Sequence, residues 1–213
     1  MIILSKPSTF CLLFFFLSGC YHQSGKKIDQ GILSFLLQKK NLKIHVLGDS
    51  IAQRSGAFGL QTKLGDSFEV KDFSVSGWNS NDWIVNLNTA FPSSPDLIII
   101  ELGTNDANRE SGRLFQSETE TLLKEIRKRT FAITVLSAVP RTKTLLSSVI
   151  QKNNEWVRSL GYPFADLESV FLNYPGPLSL YPEDDPIHPN IVGNDLIGWE
   201  YARLIRLQIG YLR

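Results

Sequence analysis

The sequence predicts an α/β fold, a three-layer α/β/α sandwich around a central parallel sheet of about five strands. Three observations lead there. Short apolar runs alternate with segments of helical periodicity, the pattern of βα units. The clearest run, Leu97-Ile98-Ile99-Ile100, is continuously apolar, as a strand covered on both faces must be. Two polar motifs, Gly48-Asp49-Ser50 and Gly103-Thr104-Asn105-Asp106, each directly follow a predicted strand. That places them at the carboxyl edge, where open α/β sheets bind their ligands.

The first strand is read at 44–47 and the second at 68–75. The third is the 97–100 run, bounded by Pro95 and Gly103. The β-branched stretch 131–138 gives a fourth, and a short fifth falls at 163–167. Between them, 113–129 places Phe115, Leu122, Leu123 and Ile126 on one helical stripe. Its acids come early (Glu118, Glu120) and its bases late (Lys124, Arg127, Lys128, Arg129), complementing the helix dipole. The segment 144–160 carries Leu145, Leu146, Val149, Ile150, Trp156 and Val157 on a broad face. Asn190 is the predicted N-cap of a last helix bearing Leu196, Ile197, Tyr201, Leu204 and Ile205.

Residues 1–40 read differently. Lys6 precedes a dense apolar core at 10–17, too short for a permanent transmembrane helix, and the segment ends Leu17-Ser18-Gly19-Cys20. This tetrapeptide resembles a bacterial lipobox. The resemblance implies a signal peptide at 1–19, cleavage before Cys20 and lipid on its sulfur, with several acyl chains making the anchor stable. Residues 20–40 then form the tether, with a short helix at 28–40, and 41–213 form one domain large enough for a full core. Of the chain's two cysteines, Cys11 leaves with the signal and Cys20 takes lipid, so the mature domain is expected to hold neither thiol nor disulfide. Loss of 1–19 removes Lys6 and no acid. The 22 Lys+Arg fall by one, to equal the 21 Asp+Glu. Zero net charge argues against a nucleic-acid partner.

The chemistry-bearing residues are a serine, a polar amide and an Asp/His pair. A serine hydroxyl needs a base to take its proton and donors to hold the oxyanion. Of the three histidines, His22 is in the tether and His45 inside the first strand, which leaves His188 as the base. Four blocks together resemble the SGNH (GDSL) hydrolase family: Gly48-Asp49-Ser50, Ser74-Val75-Ser76-Gly77, Gly103-Thr104-Asn105-Asp106 and Asp185-Pro186-Ile187-His188. They span Gly48 to Asn190 in the family's order, where any one alone is a weak signal. The resemblance implies the family's flavodoxin-like fold. It also implies Ser50 as nucleophile, His188 as base, and Asp185 as the acid that orients it. The oxyanion hole would be the N–H groups of Ser50 and Gly77 with the Asn105 amide. Asp49 reads as a turn-stabilising residue, Thr104 and Asp106 as supports for the Asn105 loop. Glu183 and Asp184 are alternative acids. Arg54, Trp78 and Asn79 are candidates to line the substrate pocket, and Glu101 is a carboxylate without an evident partner inside an apolar strand.

The expected function is a membrane-tethered serine esterase or acylhydrolase acting on a lysophospholipid, a short-chain acyl ester or an acetyl ester. The alternatives are an envelope O-acyltransferase and a non-catalytic binding lipoprotein on the same fold. The expected location is the cell envelope, at the outer membrane where two membranes exist, since Tyr21 rather than aspartate follows Cys20. No cofactor is expected. There is no H-E-x-x-H, and a single candidate histidine does not build a zinc site. A G-x-S-x-G elbow, a phosphate loop and a G-x-G-x-x-G fingerprint are also absent.

Overall fold

The computed structural model describes residues 41–91, 93–109 and 113–208. The lipobox, the tether and its predicted helix lie outside them. Five parallel strands, β1 (Leu42–Gly48), β2 (Phe68–Asp72), β3 (Leu97–Glu101), β4 (Ile133–Ala138) and β5 (Phe164–Asp166), form one sheet in the order β2-β1-β3-β4-β5. The chain winds outward from β1 in both directions, so strand order reverses between β1 and β3. Open α/β sheets bind ligands at such a reversal, at the carboxyl ends of the two strands.

Alternation along the strands divides the core into two layers. Ile44, Val46, Leu97, Ile99, Ile133 and Val135 face a layer that includes Phe58, Leu60 and the last helix, α8 (Ile191–Gln208), through Ile197, Tyr201, Leu204 and Ile205. Leu47, Ile98, Ile100 and Leu136 face the other layer. There they meet Trp83 of α3 (Ser80–Asn86), Phe115, Leu122 and Ile126 of α5 (Phe115–Arg129), and Val157 of α6 (Ser147–Ser159). All five residues of β3 are buried, as its unbroken apolar run requires.

The remaining helices are short: α1 (Ser50–Arg54), α2 (Leu60–Leu64), α4 (Thr104–Asn108) and α7 (Leu167–Leu172). Their length is too small for a periodic signal to show in sequence. The predicted elements also start or stop in different places for local reasons. β2 ends at Asp72, whose carboxylate accepts the Ser74 N–H at 2.9 Å and turns the chain. β4 begins at Ile133, and Phe131 is 90% exposed rather than paired into the sheet. α6 begins at Ser147. The hydroxyls of Thr142 and Thr144 accept the N–H groups of Thr144 and Leu146, holding 142–146 in turns. Leu145 is therefore 98% exposed and not on the helix's buried face.

Asn190 caps α8 as predicted. Its Oδ1 accepts from the N–H groups of Val192 (3.0 Å) and Gly193 (3.1 Å). Its Nδ2 donates to the Ser179 carbonyl at 2.7 Å, which pins the loop before the helix.

Candidate active site

The nucleophile turn is built by Asp49. Its Oδ1 accepts the Ile51 N–H at 2.8 Å, capping α1 in the first residues after β1. Capping thus falls to Asp49, and the Ser50 hydroxyl is left for other work. Gly48 must be glycine for space. A Cβ there would lie 2.6 Å from Ala52 Cβ and 2.8 Å from Ser74 Oγ, and Gly48 is in register with Glu101 on β3.

Ser50 and His188 are 138 residues apart, yet Ser50 Oγ lies 2.8 Å from His188 Nε2. The other ring nitrogen, Nδ1, lies 2.8 Å from Asp185 Oδ2 and 3.0 Å from Oδ1. Asp185 is held in turn by the N–H groups of Ile187 (3.1 Å) and His188 (3.0 Å). With the Nδ1 proton on Asp185, Nε2 is free to accept the Ser50 proton. Burial is the largest single influence on Asp185 and raises its pKa, but the two backbone N–H groups and the imidazole together outweigh it and hold the carboxyl below its ordinary value. Glu183 and Asp184 are exposed, and of the three acids it is Asp185 that reaches the imidazole.

The second block follows β2. Val75 N–H donates to the Gly48 carbonyl at 3.2 Å and Ser76 N–H to Gln53 Oε1 at 3.0 Å, fastening this loop beside the nucleophile turn. Gly77 sits there at φ +84°, a conformation that strains any L residue. Asn105, at the start of α4, donates through Nδ2 to the Trp78 carbonyl at 2.9 Å and to Asp49 Oδ2 at 3.3 Å. Both amide hydrogens therefore have acceptors. An oxyanion would take over the hydrogen now held by the longer, weaker contact to Asp49.

The supporting residues divide. Asp106 accepts the Ser80 N–H at 3.0 Å and so ties α4 to α3, whereas the buried Thr104 hydroxyl has no hydrogen-bond partner among the described residues. Asn79 caps α3 in a reciprocal capping box with Asp82, and its Oδ1 also accepts from Arg109 at 2.8 Å. Trp78 packs edge-on against Trp83 at 4.8 Å and gives its carbonyl to Asn105. Arg54 does line a cavity, of about 370 Å³, together with Ile51, Asp185, His188, Ile191 and Asn194.

Beneath the site lies a group of buried carboxyls. Burial, partly offset by the Ile51 N–H, raises the Asp49 pKa to about 7, with Asp106 adding to the rise. Glu101 is fully buried, and neither oxygen makes a hydrogen bond of good geometry among the described residues. Burial and the nearby Asp49 and Asp72 push its pKa well above the usual carboxylate range, and the Ala52 N–H opposes this only weakly. No charged partner for Glu101 is found among the described residues, and burial favours its neutral form.

With this geometry in place, the family model for GDSL-like lipase/acylhydrolases matches residues 46–196. The chain belongs to this family. It is thus an SGNH/GDSL-type serine hydrolase acting on ester bonds. Solved structures share the fold of this GDSL hydrolase. An acetyl xylan esterase, AlAXEase, superposes with a TM-score of 0.64 at 19% identity, over 77% of this chain and 100% of its own. The lipase/acylhydrolase from Enterococcus faecalis gives 0.62 at 23% identity, over 81% and 97%. TesA gives 0.63 at 19%, over 78% and 99%. A comparison with curated proteins gives no significant match.

Sequence reasoning missed one site contact. Arg54 Nη1 lies 3.3 Å from Asp185 Oδ2 and 3.1 Å from His188 Nδ1. Its one available signal was position: Arg54 ends the short helix that starts at the nucleophile.

Proposed function

We propose that the chain is a membrane-tethered serine esterase or acylhydrolase that cleaves carboxylic esters through an acyl-enzyme on Ser50. The observation that carries this is the unbroken relay of 2.8 Å contacts from Ser50 Oγ to His188 Nε2 and from Nδ1 to Asp185. In this reading His188 takes the Ser50 proton as Oγ bonds to the ester carbon. The C–O bond to the alcohol then breaks, and His188 Nε2 returns the proton to the departing oxygen. Water repeats the sequence on the acyl-enzyme and frees the acid. Asp185 keeps the imidazole in the productive tautomer and stabilises its cation. The N–H groups of Ser50 and Gly77 and the Asn105 amide hold the oxyanion. Gly77 N–H makes no hydrogen bond among the described residues and is available for this.

The substrate class proposed is a lysophospholipid, a short-chain acyl ester or an acetyl ester. Structural neighbours that include a lipase/acylhydrolase and an acetyl xylan esterase support an acyl or acetyl ester. The Leu17-Ser18-Gly19-Cys20 lipobox supports lipid anchoring at the cell envelope. Hydrolysis of p-nitrophenyl esters from two to sixteen carbons tests the reading, with Ser50→Ala alongside. Turnover that disappears in a folded Ser50→Ala protein is expected, and the chain-length profile separates acetyl from lipid substrates. Turnover that survives in Ser50→Ala contradicts the assignment.

A further inference from the structure

The relation between Arg54 and the Asp185–His188 pair goes beyond this relay. Two donors converge on one oxygen: His188 Nδ1 at 2.8 Å and Arg54 Nη1 at 3.3 Å both address Asp185 Oδ2. The two nitrogens are themselves 3.1 Å apart. With the Nδ1 proton directed at Asp185, they do not bond each other, and a fixed positive charge sits against the ring that must become a cation during turnover. That arrangement opposes the reaction for as long as it persists. Arg54 is well placed to leave it. Its side chain is 57% exposed, and its Nε and Nη2 make no hydrogen bond among the described residues. Those N–H groups belong to a residue lining the cavity bounded by Ile51, His188, Ile191 and Asn194. The amino end of α8 borders the same cavity, and its partial positive charge adds to that of the guanidinium.

A guanidinium with unused N–H groups in a fork suits a carboxylate or phosphate, which it binds through two parallel hydrogen bonds. The cavity lies on the His188 side of the site, where the alcohol leaves. We propose that Arg54 recognises an anionic oxyacid group on the alcohol portion of the ester, and that by turning to that group it releases Asp185 to His188 alone. Substrate binding and assembly of the productive Asp–His pair are thereby coupled: an ester with an anionic alcohol removes the opposing charge, and a neutral one does not. The inference rests on reading Ser50 as the nucleophile and adds the substrate's charge class to that reading.

The test compares three esters of one acyl group: 1-butyrylglycerol, 1-butyrylglycerol 3-phosphate and the butyryl ester of glycerate. Butyrate release gives kcat/KM for the wild type, Arg54→Gln and Arg54→Lys. The wild type is expected to prefer the phosphate or the carboxylate ester over the neutral one by about tenfold or more, the usual scale of a charge-assisted pair. The better of the two anionic esters identifies the group. Arg54→Gln is expected to abolish the preference, and Arg54→Lys to keep part of it. Equal rates on all three esters in the wild type overturn the proposal. So does an equal fall on all three in Arg54→Gln, which marks a structural role. Fluorophosphonate labelling of Ser50 in each protein separates the two readings. A wild type that labels and cleaves without charge preference refutes only the role of Arg54, whereas one that neither labels nor cleaves refutes the hydrolase assignment on which it rests.

Discussion

Replacing Glu101 by methionine is expected to stabilise the protein, and more so as pH rises. Glu101 is fully buried at the end of β3, in register with Gly48, and neither of its oxygens makes a hydrogen bond of good geometry among the described residues. A buried polar group without a hydrogen bond costs about 1–3 kcal/mol, and an apolar group of similar shape removes that cost. The second contribution comes from proton linkage. The folded-state pKa of Glu101 is raised well above 4.5 by burial and by Asp49 and Asp72. The folded protein therefore holds a proton that the unfolded chain gives up above that value. A raised folded pKa means stability is greatest below the unfolded pKa and falls as pH climbs toward the folded one. The loss is at most about 1.4 kcal/mol per pH unit for each proton. Asp49, raised from 3.8 to about 7, adds a loss of the same sign between those two values. Glu101→Met removes one of the two protons. Urea unfolding followed by tryptophan fluorescence at pH 5, 6, 7 and 8 measures the effect. Wild-type stability should fall along that series, the variant should fall less steeply, and the variant should exceed wild type by about 1–3 kcal/mol or more at pH 7. A variant that is less stable than wild type at every pH, with an unchanged slope, would show that Glu101 is neither unsatisfied nor neutral.

Further consequences follow from the site itself. Asn105→Ala removes one oxyanion donor and the bridge between Asp49 and the Trp78 carbonyl. Its kcat on an ester should drop about 10²–10³-fold with little change in KM. Asp185→Asn keeps the side chain's shape but favours the wrong imidazole tautomer, so kcat should fall on the order of 10⁴-fold in a normally folded protein, as circular dichroism would show. Asn190→Ala deletes the cap of α8 and the bond to the Ser179 carbonyl. The expected loss is about 1 kcal/mol in urea unfolding, with an accompanying fall in kcat because the same segment carries His188.

Much of this was legible in the sequence because local chemistry dictated it. The run at 97–100 had to be a strand covered on both faces, and it is wholly buried. The stripe of Phe115, Leu122 and Ile126 had to turn inward, and it does. The order of the polar blocks after successive strands placed Ser50 and Asn105 on one edge. What stayed hidden depended on contacts between distant segments. The ion pair of Arg54 with Asp185 spans 131 residues and leaves no periodic trace. Glu101 was visible in the sequence as an oddity, but the upward shift of its pKa follows from full burial, with Asp49 and Asp72 adding to it, and both are properties of the folded chain. Asn79 and Asn105 are both asparagines next to glycine-containing motifs. Only the folded chain shows that one caps a helix and the other reaches across the site to Asp49.

The most direct test of the account is covalent labelling of the folded protein with a fluorophosphonate, followed by peptide mass mapping. The predicted result is a single adduct on Ser50, absent from His188→Ala and Ser50→Ala. An adduct on another residue, or a folded wild type that does not react, would contradict the assignment of Ser50 and His188 as nucleophile and base.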